Sequence, residues 1–210
     1  MNSRTTPPGP PAAVAGRSEA PLLNIANALT VVRLVLVPVF IWLMLRSGDA
    51  VRLAAALVFA LAAATDRLDG QLARSRNLVT SFGKIADPIA DKALTLSAFV
   101  LLSVAGRLWW WVTVLIIVRE LGITLMRFVM LRRAVMAASR GGKLKTALQV
   151  TGIFGLLVPW AAFVPPAPAT ALDLAAYALI GSALVVTLVT GADYVLKALR
   201  LSRADPGGRP

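Results

Sequence analysis

Residues 53–65, LAAALVFALAAAT, carry no charge and stop at Asp66; residues 108–118, LWWWVTVLIIV, stop in the same way at Arg119. Each run is shorter than the roughly 20 apolar residues a bilayer-crossing helix needs, so either one alone could be a helix buried in a soluble core. The rest of the chain decides the matter. Of 210 residues, 58% are hydrophobic and 15% charged, against about 45–50% and roughly 25% in a soluble domain. Mean hydropathy is +0.75. These values exclude a water-soluble globule. The formal net charge is +12, from 22 Lys and Arg against 10 Asp and Glu. Such an excess points to nucleic acid or to an anionic membrane surface, and with this apolar content membrane lipid is the expected partner and nucleic acid is not. Cysteine and histidine are both absent. Disulfides, thiolate and imidazole metal sites, and Ser-His-Asp triads are thereby excluded. Any chemistry falls to carboxylates, Lys and Arg.

The pattern predicts an all-α integral membrane protein with six transmembrane helices, over about 25–46, 51–75, 88–106, 108–132, 144–164 and 170–199. They form one domain, 21–200. Residues 1–20, with four prolines, read as a disordered cytoplasmic tail, and 201–210 as a polar C-terminal tail. No cleavable leader is expected, because the first apolar block starts only near Leu34.

Depth organises the charges. With alternating helices and the N-terminus inside, Arg33 lies near the inner start of the first helix. Asp66 and Asp69 then fall at the inner end of the second, and Asp87 and Asp91 at the inner start of the third. Ten residues from Trp109 to Arg119 span about 15 Å of helix, which puts Arg119 near mid-membrane and Arg127 near the inner face. Lys143 and Lys145 open the fifth helix, while Asp193 and Lys197, read as an ion pair, close the sixth. The intramembrane charges all fall in one leaflet. Such groups are costly and mark functional sites.

Basic residues set the orientation. Inner loops and tails hold fifteen of them, outer segments only Arg46, Arg52 and Arg107, and the remaining four lie within helices. Both termini and the polar layer are therefore expected on the cytoplasmic side of a multi-pass protein in the cell membrane. The five tryptophans, Trp42, Trp109, Trp110, Trp111 and Trp160, fall in the outer half, as an aromatic belt does.

The candidate chemistry lies in Asp66-Arg-Leu-Asp69-Gly70-Gln-Leu-Ala73-Arg74 and, eight residues on, Gly83-Lys-Ile-Ala-Asp87-Pro-Ile-Ala-Asp91. Spacings of three and four put each aspartate pair on one helix face. Asp87 reads as an N-cap, with Pro88 in the first turn. The short connection makes the two helices antiparallel neighbours, so four carboxylates converge. Without metal they would repel and have to protonate; two divalent cations cancel the charge, and an oxygen-only donor set suits Mg²⁺ or Mn²⁺. The plain alternative is capping plus ion pairs, for example Asp66 with Arg67 or Arg74. Gly70 and Gly83 let backbone approach a ligand closely, and Arg74 suits a phosphate. A metal-bound diphosphate is the ligand these parts suggest.

The spacing D-x2-D-G-x2-A-R-x8-G-x3-D-x3-D, met at every position from Asp66 to Asp91, resembles the motif of the CDP-alcohol phosphatidyltransferases. The resemblance runs over roughly 22–200. It implies a six-helix membrane enzyme, usually a homodimer, that displaces CMP from a CDP-linked lipid with an alcohol. It implies Asp66, Asp69, Asp87 and Asp91 as the metal site, with Asp91 also taking the proton of the attacking hydroxyl. Gly70, Ala73, Arg74, Thr80 and Gly83 match nucleotide and diphosphate contacts. Asn27 and Thr30 either touch the nucleotide or serve the start of the first helix.

Shorter marks resemble the branch that uses CDP-diacylglycerol and glycerol 3-phosphate: Asn27-Ala-Leu-Thr30-Val-Val-Arg33 with Pro38, Arg119-Glu120 with Arg127, and Gly142-Lys143-Leu-Lys145-Thr146. The last stretch lacks the full phosphate-loop pattern. Arg119, Arg127, Lys143 and Lys145 are then the expected clamp for the acceptor phosphate, although plain positive-inside loop charge also accounts for the two lysines. Glu120 is expected to hold an Arg or Lys in place. Inositol phosphate, serine or phosphatidylglycerol as acceptor is the nearest competing reading. An intramembrane prenyltransferase would need a larger helix count and a different acidic spacing. A small membrane transporter is the non-enzyme alternative, since buried charges also mark ion pathways.

Overall fold

The apolar runs fold as helices joined by turns whose residues explain where each helix stops. The computed structural model describes the backbone of residues 25–75, 81–130 and 140–204 and, within these, the side chains of 28–65, 89, 90, 92–125, 142 and 144–192. Six α-helices are present among the described residues: α1 (Ile25–Met44), α2 (Asp49–Ser75), α3 (Ser81–Val104), α4 (Trp110–Met130), α5 (Arg140–Leu157) and α6 (Pro166–Ala204). A 3₁₀ turn, Trp160–Ala162, joins α5 to α6.

Three boundaries differ from the expected ones. Helix α3 starts at Ser81, so Asp87 and Pro88 lie inside it rather than at its cap and first turn. Pro88 there removes a single helical hydrogen bond close to the helix start, and Asp87 and Asp91 keep their spacing of one turn. Helix α5 ends at Leu157 rather than near 164, because Pro159 disfavours helical geometry at Val158. Helix α6 runs from Pro166, a favoured first-turn proline, to Ala204, and so enters the segment expected to be a polar tail. Its 39 residues extend about 58 Å.

Helix α3 closes with a Schellman motif. The Gly106 N–H donates to the Ser103 carbonyl at 3.1 Å and the Arg107 N–H to the Leu102 carbonyl at 2.9 Å. Gly106 adopts φ +68°, a left-handed geometry that costs glycine little. The turn between α1 and α2 sits beside this one: residues 44–49 and Arg52 share a cleft of about 380 Å³ with Leu101, Val104 and Ala105. At the same end Arg107 reaches Asp173 on α6 at 2.6 Å, and the Tyr177 hydroxyl donates to the Arg107 carbonyl at 2.7 Å. One end of the bundle therefore collects the three short turns, and the other receives the C-terminal halves of α2, α4 and α6.

Helix α1 packs along α2 and α3, and α5 along α6, with α4 against α3 and α6. Phe40, Phe59, Phe99, Leu102, Ile116, Ile153 and Leu156 are buried where they meet. The α5–α6 seam depends on small residues. A Cβ at Gly155 would lie 2.7 Å from that of Ala176, and one at Gly152 2.8 Å from Ile180 Cδ1. Close backbone approach of this kind supplies dispersion contact along the seam.

Pro166–Ala192, with mean hydropathy 2.0, is long and apolar enough to cross a membrane. Ala28–Met44, Lys92–Val104 and Leu144–Leu157 are shorter apolar helices. Large apolar side chains also face outward in rows. On α4 these are Trp111, Val114, Val118, Leu121 and Leu125, each at least 49% exposed; on α1, Val31, Val35 and Val39.

Candidate functional site

Away from the turns, three helices, α3, α4 and α5, bring polar groups to one carboxylate. Glu120 on α4 accepts from Lys145 Nζ of α5 at 2.5 Å and from Arg119 Nη1 at 3.0 Å, both on Oε1. Its Oε2 faces Lys92 Nζ of α3 at 3.5 Å. The Glu120 and Arg119 side chains are 13% exposed and that of Lys145 10%. Burial strips these charges of water, so each depends on its partners. Among the described residues the cluster holds three cations and one carboxylate. Among these residues positive charge is in surplus.

The Arg119 guanidinium is held in a fixed orientation across α6. Its Nε donates to the Thr187 carbonyl at 2.9 Å and its Nη2 to Thr190 Oγ1 at 2.7 Å. Thr190 in turn donates to the Val186 carbonyl at 2.7 Å. Gly191 makes room for this crossing: a Cβ there would lie 3.3 Å from Arg119 Cγ and Nε. Among the described residues three of the five guanidinium donors are thus engaged, which leaves two for a ligand. Beside the cluster, Lys92, Thr95, Leu96, Glu120, Lys145, Thr146, Gln149 and Val150 line a cavity of about 30 Å³.

The structure brings together Arg119 and Lys145 of the expected acceptor clamp, with Glu120 as the group that holds them. Arg127 lies on α4 eight residues beyond Arg119, and Lys143 near the start of α5; their side chains are outside the described residues. Thr30 is buried on α1, 1% exposed, one turn before the fully buried Arg33. Asp66, Asp69, Gly70, Ala73 and Arg74 lie on α2, and Gly83, Asp87 and Asp91 on α3. Nothing beyond helix membership is described for these residues or for Asn27 on α1, and Thr80 lies outside the described residues. Helices α2 and α3 pack against one another, and Lys92 follows Asp91 directly, so the basic cluster adjoins the acidic motif in the chain.

Sequence reasoning missed Lys92, Gln149, Thr187 and Thr190 as parts of this site. Lys92 could have been found as a cation inside an apolar helix, and Gln149 as the next residue on the Lys145 face, four positions on.

A motif complete from Asp66 to Asp91 and seated on two neighbouring helices invites comparison with known proteins. Residues 23–191 match the CDP-alcohol phosphatidyltransferase family. The chain belongs to this family. It is 46% identical over 198 residues to the probable phosphatidylglycerophosphate synthase of Mycobacterium tuberculosis strain H37Rv, covering 93% of this chain and 88% of that one. It is 37% identical over 188 residues to the CDP-diacylglycerol–glycerol-3-phosphate 3-phosphatidyltransferase of Escherichia coli K12, covering 87% and 96%. The Bacillus subtilis protein of that name is 37% identical over 150 residues, covering 65% and 78%.

Proposed function

We propose that the chain transfers the phosphatidyl group of CDP-diacylglycerol to glycerol 3-phosphate, giving phosphatidylglycerophosphate and CMP. The observation that carries this is the eight-position motif on adjacent helices α2 and α3, in a chain whose relatives at 37–46% identity bear names for this activity. Phospholipid synthesis is the process it serves.

In this reading Asp66, Asp69, Asp87 and Asp91 hold two divalent cations. Their fit is one of placement: spacings of three and four within continuous helices put each pair on one face, and carboxylate oxygens suit Mg²⁺ or Mn²⁺. Bound there, the ions would supply charge neutralisation at the diphosphate and at the departing CMP. Asp91 takes the proton of the glycerol hydroxyl. That oxygen attacks the lipid-side phosphorus in line, a new P–O bond forms, and the bond to the CMP oxygen breaks. Gly70, Ala73, Arg74, Thr80 and Gly83, with Asn27 and Thr30, contact the CDP-lipid. Arg119, Arg127, Lys143 and Lys145 hold the acceptor phosphate, Arg through its remaining donors and Lys as point charges.

The outward apolar rows on α1 and α4 support a multi-pass membrane protein, since exposed apolar surface on that scale seeks lipid or a partner. Six spans, cytoplasmic termini and a homodimer complete the proposal. The test is CMP release from CDP-diacylglycerol by the protein in detergent with Mg²⁺, against a panel of acceptors. Release that depends on glycerol 3-phosphate and on the metal is expected; a preference for inositol phosphate, or no CMP at all, overturns the reading. A single cysteine at Ala167, exposed at the turn end, should react with an impermeant thiol reagent in intact cells, whereas one at Ser139 should react only after permeabilisation. The reverse order overturns the topology.

A further inference from the structure

Gln149 is a buried polar side chain of this region for which the proposed reaction has no use. It lies on α5, four residues after Lys145, and is 3% exposed. Its Nε2 is buried and has no hydrogen-bond partner among the described residues. A buried amide left in that state is destabilising, and replacing it by an apolar group of similar shape removes the penalty. The residue lines the small cavity with Lys92, Lys145, Glu120, Thr95 and Thr146.

The cavity's size and chemistry limit what can enter. About 30 Å³ admits one or two water-sized atoms, given that one needs roughly 10–15 Å³. A whole phosphate does not fit, but one of its oxygens does. The ammonium groups of Lys92 and Lys145 and Nε2 of Gln149 are donors only. Both oxygens of Glu120 already accept from cations. The atom that satisfies this set is an anionic acceptor oxygen, and it would relieve the positive surplus around Glu120.

We propose that Gln149 is a specificity-determining residue, whose amide N–H donates to one oxygen of the acceptor's phosphate seated between Lys92 and Lys145. This rests on the reading that the acceptor is glycerol 3-phosphate, and it adds Lys92 and Gln149 to the groups that hold it. The phosphate stands at the mouth of the cavity with one oxygen inside. An acceptor that brings no phosphate, such as serine, leaves Nε2 unpaired and the surplus charge unmet, so the socket selects for phosphorylated alcohols.

The test measures KM for glycerol 3-phosphate and for CDP-diacylglycerol separately in the unmutated protein, Gln149→Leu, Gln149→Glu and Lys92→Met. Gln149→Leu should raise the glycerol 3-phosphate KM by about tenfold to a hundredfold, the reach of one hydrogen bond to a charged group. It should leave the CDP-diacylglycerol KM within about twofold and the thermal midpoint unchanged or higher. Gln149→Glu, nearly isosteric but anionic, should raise the acceptor KM further. Inorganic phosphate should compete with glycerol 3-phosphate, and its inhibition constant should rise in parallel in Gln149→Leu; phosphate that does not compete overturns recognition of the phosphate group itself. An unchanged acceptor KM in folded Gln149→Leu overturns the proposal, with a water filling the cavity. So does an equal loss on both substrates. If Gln149→Leu does not accumulate, Gln149→Glu and Lys92→Met must reproduce the selective shift; failure of all three to fold makes the amide structural and overturns the proposal too. If the unmutated protein proves inactive with glycerol 3-phosphate, the activity reading falls by itself. Stabilisation by inorganic phosphate that is present in the unmutated protein and lost in Gln149→Leu then still upholds the phosphate socket, and equal stabilisation in both overturns it.

Discussion

Two charged contacts tie α4 and its leading turn to the rest of the bundle, and they follow opposite rules. At the turn end, Arg107 meets Asp173 at 2.6 Å, one cation to one carboxylate, with both side chains about three-tenths exposed. In the body of the bundle, Glu120 meets Lys92, Arg119 and Lys145, three cations to one carboxylate among the described residues, with Glu120, Arg119 and Lys145 largely withdrawn from solvent. The first contact is electrically complete. The second has collected more positive charge than its own carboxylate neutralises, in a setting where desolvation makes every uncompensated charge expensive. Folding alone would favour the balanced design in both places. The imbalance beside Glu120 is what a site for an anionic substrate requires, and in the proposed reading it separates a binding centre from a clasp.

The most direct way to break this comparison is to remove the carboxylate. Glu120→Gln keeps the shape and leaves three cations facing one another. It should destabilise the protein by about 3–5 kcal/mol, the range for breaking a buried pair, and abolish turnover. Thermal unfolding in detergent and CMP release both measure it. A variant of near-normal stability would mean that Glu120 is a bystander.

The acidic motif gives an effect of similar size on turnover but not on stability. On the proposed metal assignment, Asp66→Asn, Asp69→Asn, Asp87→Asn and Asp91→Asn should each abolish CMP release, since one lost carboxylate would unbalance two dications. Asp91→Asn should retain CDP-lipid binding better than Asp66→Asn, because the proposed mechanism gives Asp91 the proton transfer. Near-normal activity in any of the four would refute the metal assignment.

Next in size is Arg119→Lys, which keeps the charge and loses the planar fork. Lysine cannot reach the Thr187 carbonyl, Thr190 and Glu120 together. The loss should be about 1.5–3 kcal/mol, read as a tenfold to hundredfold rise in the acceptor KM with little change in that for CDP-diacylglycerol. Gly191→Ala probes the same brace from α6. Its Cβ would press on Arg119 at 3.3 Å, and a shift in the same direction but smaller is expected. If Gly191→Ala alters both KM values equally, Arg119 is packing material and does not orient the acceptor.

Part of this arrangement is legible in the amino-acid sequence and part is not, for physical reasons. That the aspartates fall on helices α2 and α3 can be read from the sequence, and helix periodicity then converts spacings of three and four into one face. The type of role played by Glu120 can also be read: an acidic residue beside Arg119 in an apolar run must find cations. Which cations cannot. Lys92 lies 28 residues before it and Lys145 25 residues after it, and nothing local links them. The bed for Arg119, Thr187 and Thr190, is farther still, 68 and 71 residues away. Threonine in an apolar helix satisfies itself on the preceding turn, as Thr190 does on Val186, so it gives no signal of a distant partner. Helix ends mislead in proportion to their turn chemistry. Pro159 stops α5 early, whereas Pro88 does not start α3.

The smallest effect belongs to the clasp, and its smallness makes the comparison worth testing. Arg107 and Asp173 are each partly open to solvent, so screening and side-chain entropy take most of the Coulomb gain. Asp173→Asn should cost about 0.2–1 kcal/mol, because the Tyr177 hydroxyl still holds the Arg107 carbonyl and the Trp109 and Tyr177 rings stay in contact at 5.7 Å. Turnover and both KM values should be unchanged. Added salt should shrink even that stability difference, since a partly exposed pair is partly screened, whereas salt should do little to rescue Glu120→Gln. A double-mutant cycle on Arg107 and Asp173, run beside one on Lys145 and Glu120, gives the contrast in one currency. Coupling near zero for the first pair and several-fold larger for the second is the expected result. Equal couplings would mean that both contacts are ordinary braces, and the surplus charge around Glu120 would need another explanation.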